Sequence, residues 1–131
     1  MEDPMLIEIL KEMQKKYQCI VEIERITREM GDSLSRNDRT SVQILLGMRQ
    51  EEMDKTEVCN RNLHCLISVL PPEEGEQVRE WMKGGEAQNA DNPLVGKLME
   101  KGNSLGLILK RTIEIDRHIS TRLAGNDSFY K

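Results

Sequence analysis

Two apolar stripes of similar length flank one polar tetrapeptide, Ser35-Arg36-Asn37-Asp38, and they can be laid on each other. Before it, Leu6, Leu10, Met13, Tyr17, Ile20, Thr27, Met30 and Leu34 recur at helical spacing, widened by Ile9 and Ile23. After it come Val42, Leu45, Leu46, Met53, Thr56, Cys59, Leu63, Ile67 and Leu70. Steps of three and four put such residues on one side of an α-helix. If the chain folds back at Arg36–Asn37, facing residues have numbers that sum to about 73. Leu6 then meets Ile67, Leu10 meets Leu63, Ile20 meets Met53 and Thr27 meets Leu46. The charged residues that interrupt the stripes, Glu24 and Arg49, also sum to 73. The register therefore predicts that they pair across the hairpin.

Local chemistry sets the ends of these helices. Asn and Asp bond their own backbone in turns, so Asn37 or Asp38 can cap the second helix. Pro4 suits a first helical turn. Pro71-Pro72 stops the second helix, because proline lacks the amide and restricts the residue before it. The expected spans are 3–35 and 38–70, and the first is roughly 50 Å long at 1.5 Å per residue.

A short helix over 72–83 follows, with Glu73 and Glu74 at the end the helix dipole prefers and Val78, Trp81 and Met82 as apolar anchors. Residues 84–91 (GGEAQNAD) read as a small, polar, mobile connection. Asn92-Pro93 opens a last helix over 93–123, whose apolar face is Leu94, Leu98, Leu105, Ile108, Leu109, Ile115, Ile119 and Leu123. That face closes the hairpin into an elongated three- or four-helix bundle. The fold class is all-α, one domain over residues 1–131, with 124–131 expected to fray.

Aromatic residues make up 3% of the chain, so the core must be Leu, Ile, Val and Met. The eight methionines fit either ordinary helical packing or an adaptable binding surface. A net charge of −4 argues against a nucleic-acid partner. The charge is uneven: residues 1–96 carry 12 Lys/Arg and 19 Asp/Glu, a balance of −7, whereas 97–122 carry 6 and 3, a balance of +3. The acidic N-terminus does not read as a signal peptide, and no run approaches the roughly 18 apolar residues of a membrane span, so stable membrane insertion is not expected. Cys19, Cys59 and Cys65 lack a paired-ligand spacing and read as reduced thiols, which places the protein in the cytoplasm.

Catalytic chemistry finds no foothold. His64 and His118 bear no fixed relation to each other, and His64 and Cys65 point about 100° apart on a helix. The neighbouring acids Glu51-Glu52 and Glu73-Glu74 diverge likewise. No glycine-rich phosphate loop is present. The chain reads as a non-enzyme without cofactor or metal.

The last helix carries a second feature. Val95, Met99, Gly102, Gly106 and Ile113 lie on a flank turned away from the Leu94 face. Each mid-helix glycine costs about 1 kcal/mol against alanine. Two readings offset that cost: close packing inside the bundle, against the Trp81 helix, or a seat for a partner helix.

The segments Ile26–Leu34, Asn37-Asp38, Ile44-Leu45-Leu46 and Met48–Asp54 (MRQEEMD) resemble the flagellar export chaperones of the FlgN family, with the FliT-like chaperones a second choice. Glu100–Leu109 (EKGNSLGLIL) is similar to that family's polar-Asn segment leading into Leu-Leu, although Gly102 stands where Asn or Glu is more usual. The resemblance implies a cytosolic chaperone of type III export. Such a chaperone binds the amphipathic C-terminal helix of hook-associated substrates, prevents their premature assembly and delivers them to the export gate. It places the client on the C-terminal helix, hence on the Val95–Ile113 flank, and it makes Tyr130 the candidate for docking to the gate. Two rivals differ in class. One is a structural coiled coil whose hairpins associate as a homodimer or larger oligomer, without a client. The other is a membrane-surface protein that uses the basic last helix.

Overall fold

The computed structural model describes residues 2–86 and 90–126. Among them the chain forms four α-helices and no strand: α1 (Asp3–Ser35), α2 (Arg39–Ser68), α3 (Pro72–Met82) and α4 (Pro93–Asn126). Pro4 lies in the first turn of α1. At the tip of the hairpin Asn37 takes a left-handed conformation (φ 56°) that Asn tolerates better than most residues. Asp38 is the cap of α2, accepting a 3.0 Å bond from the Ser41 amide. Asn92 caps α4 through a 2.9 Å bond from the Leu94 amide. α4 runs three residues past its expected end at 123 and passes through Gly125, so the tail expected to fray from 124 is helical to Asn126, and 127–131 lie outside the described residues.

α1 is the centre. Its Leu6, Ile9, Met13 and Ile20 are buried against Leu63 and Ile67 of α2, Val78 of α3, and Val95, Leu98, Leu105 and Ile108 of α4. Full burial of each such side chain is worth about 1.5–3 kcal/mol, so this cluster dominates stability. A smaller cluster near the hairpin tip joins Ile26, Met30 and Leu45.

The hairpin register is close to the expected one. Asn62 reaches Glu12 (3.3 Å) and Arg49 reaches Thr27 (3.4 Å), pairs whose numbers sum to 74 and 76. α4 runs parallel to α1. Arg111 meets Glu24 and Arg122 meets Ser35, each 87 residues apart, and Asn92 meets Asp3 at the other end. α2 ends at the end of the bundle where α4 begins; α3 climbs from there, Gly75 beside Ile67 and Met82 beside Gly102, and the connection behind it comes back to Asn92. Among the described residues α2 and α4 each pack along α1, but their backbones do not pack on each other.

Two expectations for the faces meet the structure differently. Leu109, expected in the core face, is exposed, which is a correction. Val95 and Gly102, on the flank read either as packing against the Trp81 helix or as a partner seat, are buried, which fits the packing and corrects their place in a seat. The reason is α3. It covers the flank of α4 in its first half and, among the described residues, nothing replaces it in the second, so the buried face of α4 turns along its length.

Candidate functional site

Where α3 stops, a groove begins. Its floor is Ile20, Ile23 and Thr27 of α1. One wall is α2, with Arg49, Gln50, Met53, Asp54, Thr56 and Glu57; the other is α4, with Leu109, Thr112, Ile113 and Asp116. The groove encloses about 380 Å³. Ile113 is 54% exposed, and Met53 and Leu109 are each 37% exposed, so three large apolar side chains stand open to water around one trough.

α3 shows what fits between these walls. Its buried side carries Gly75 and Val78, and Trp81 and Met82 pack on the core. Gly75 lies beside Ile67 of α2, and Gly102 of α4 lies beside the Met82 carbonyl. A Cβ on Gly102 would collide with that carbonyl, so the glycine is what lets the end of α3 touch α4. Asn103 fastens the same end: its side chain accepts from the Gly85 amide (3.0 Å) and donates to the Gly85 carbonyl (2.9 Å). Gly84 (φ 96°) is left-handed there, a conformation glycine adopts without strain. The channel between α2 and α4 is thus filled by an amphipathic helix down to the level of Gly102, and lies open from about Gly106 onward.

Polar residues interrupt the core at the open part. Thr27 and Thr112 are buried, each hydroxyl donating to a carbonyl one turn earlier (Ile23, 2.6 Å; Ile108, 2.7 Å). Arg49 crosses the groove, donating to the Asp116 carboxylate and to Thr27 Oγ1 (3.4 Å). Glu24 turns the other way and takes two bonds from Arg111 (2.5 and 3.2 Å), with Arg28 at 3.7 Å. The expected pairing of Glu24 with Arg49 is therefore corrected. Each finds a partner on α4, because α4 lies along both interruptions and register arithmetic on two helices takes no account of a third.

The expected client strip is divided. Val95, Met99 and Gly102 are occupied within the protein, by the core and by the end of α3. Gly106 faces open space and Ile113 lines the groove. Tyr130 lies outside the described residues. Met53 and Leu109, the other apolar rims of the groove, fall on the core stripes of their helices in the sequence, which carries no signal that they stand open.

Two of the thiols, Cys19 and Cys59, do not resemble activated nucleophiles. Burial, with Glu52 adding to it, pushes the Cys19 thiol up; burial does the same to Cys59. A raised thiol is the reverse of an activated one. Among the described residues no cluster of His, Cys, Asp or Glu has metal-holding geometry, and no helix is long and apolar enough to cross a membrane. Compared with protein-family models, with curated proteins and with solved structures, the chain matches none.

Proposed function

We propose that this protein is a helix-binding chaperone of the flagellar type III export class, a small cytosolic carrier that holds the amphipathic C-terminal helix of a hook-associated substrate. One observation carries the reading: α3 fills the first half of the channel between α2 and α4, and the second half is open with Met53, Leu109 and Ile113 exposed on its rims. A client helix laid there continues the line of α3 and buries the same kind of surface. Helix-in-groove recognition of this sort uses anchors at helical spacing. The rim charges, Asp54 and Glu57 with Asp116 held by Arg49, suit a client flanked by neutral or basic residues. The export setting comes from the resemblance of 26–54 and 100–109 to the FlgN family.

The test is co-purification with hook-associated proteins from a flagellated cell, followed by titration of the captured client's C-terminal helix. Ile113→Asp and Met53→Asp are expected to weaken binding at least about tenfold, since each puts an unpaired charge into a desolvated contact. Retention of full affinity by both variants, with the client still captured, contradicts the groove. Capture of no client, together with a concentration-dependent mass, favours the homo-oligomeric adaptor.

A further inference from the structure

The opposite flank of α4 forms a second trough, against the first half of α1. Ile7 and Leu10 lie in it with Gln14 and Ser104. Its sides are two lysine pairs at one-turn spacing, Lys11 and Lys15 on α1 and Lys97 and Lys101 on α4. Glu100 is the one carboxylate among the lining residues, in a chain whose overall charge is negative. The trough encloses about 540 Å³, and Ile7 is 40% exposed in it.

We propose that this trough is a second protein-docking surface, and that its occupant is an acidic amphipathic helix. Residues four apart on a helix stand about 6 Å apart along the axis, so each lysine pair forms a short basic rail. A helix laid between the rails puts its apolar face on Ile7 and Leu10 and carboxylates on both flanks within reach of ammonium groups. Lys97 and Lys11 are available for this. Lys97 is exposed and carries no ion pair or hydrogen bond among the described residues. Lys11 holds only an exposed pair along its own helix, to Glu8 (3.3 Å), and such a pair contributes little. Lys15 is tied to Glu12 (3.2 Å), a largely buried carboxylate that also accepts from Asn62 of α2. Lys101 rests over the Tyr17 ring at 4.4 Å, which holds its ammonium at the edge of the trough. A protein helix fits better than a membrane. The surface is concave, and the apolar contacts lie between the lysines, whereas a bilayer contact needs apolar residues projecting beyond them.

The surface is independent of the groove between α2 and α4, and one experiment separates the two. The probe is a labelled helical peptide of about 18 residues, five turns, with leucines on one face and glutamates on both flanks, titrated against the full chain by fluorescence anisotropy at low salt. The peptide is expected to bind one to one. Lys11→Glu with Lys97→Glu should weaken it at least about tenfold, and Lys97→Glu alone about threefold. Both changes fall on exposed side chains, and far-ultraviolet circular dichroism checks that the helices persist. Ile113→Asp, in the other groove, should leave this affinity unchanged. The proposal is overturned if the native chain does not bind the peptide or if both lysine variants bind it as tightly as the native chain. It is also overturned if vesicles containing phosphatidylglycerol bind and displace the peptide, or if the lysine changes abolish a dimer of this chain in solution.

Discussion

Gly102 of α4 lies directly under the carbonyl of Met82, the last residue of α3, with no room for a Cβ between them. Four residues on, Gly106 has nothing within 4 Å of where its Cβ would be. The two glycines mark where α3 ends and the open groove starts.

Their substitution should therefore have opposite effects. Gly102→Ala should destabilise the protein by about 1–3 kcal/mol, because backbone cannot yield as a flexible side chain would. Gly106→Ala should be neutral or stabilise by up to about 1 kcal/mol through helix propensity. Urea titration of both variants checks this; equal effects would mean that α3 does not seat on Gly102.

Arg49 and Asp116 should show energetic coupling across the groove. Asp116 is partly open to solvent, so a double-mutant cycle to alanine should return about 0.5–1 kcal/mol. The same cycle on Glu24 and Arg49 should return none, since each has its own partner on α4. Coupling between Glu24 and Arg49 would restore the pairing inferred from the hairpin alone.

Much of this fold was legible because it is local. Helix ends at Pro4, Asp38, Pro71 and Asn92 follow from short-range hydrogen bonding and proline sterics, and the hairpin register from two stripes of similar length. What was not legible is the effect of the third layer. Glu24 and Arg49 looked like partners until α4 supplied Arg111 and Asp116. Val95 and Gly102 stand in the sequence between internal packing and a partner seat, and only the cover of α3 decides for packing. Leu109 and Ile113, four residues apart on one side of α4, carry no mark in the sequence that one was assigned inward and the other outward; the length of α3 leaves both exposed.

The cap of α2 should respond to acid. Bonds from the Ser41 hydroxyl and amide hold the Asp38 carboxyl below its ordinary range. A carboxyl lowered in the folded state contributes stability that is present above its unfolded pKa and is lost as pH falls through the folded one. Asp38→Asn, which still caps but does not titrate, should remove that part of the loss of stability between neutral and acidic pH. Thermal melts of both proteins across this range measure the difference; identical pH profiles would show that the carboxylate does not hold the turn.

The thiols should react in order of access. Cys65 is exposed, whereas burial raises Cys19 and Cys59. Iodoacetamide near neutral pH should modify Cys65 first, half-buried Cys19 more slowly, and Cys59 at a rate that follows unfolding. Peptide mass spectrometry over time reads the order, and rapid labelling of Cys59 would contradict its burial under α1.

The central claim is that the unfilled half of the channel between α2 and α4 receives a partner helix. Methyl NMR of the full chain, titrated with the C-terminal helix of a co-purified client, tests it most directly. The account predicts shifts concentrated at Met53, Leu109 and Ile113, with Ile7 and Leu10 unmoved. Shifts confined to Ile7 and Leu10, or spread evenly through the core methyls, would contradict it.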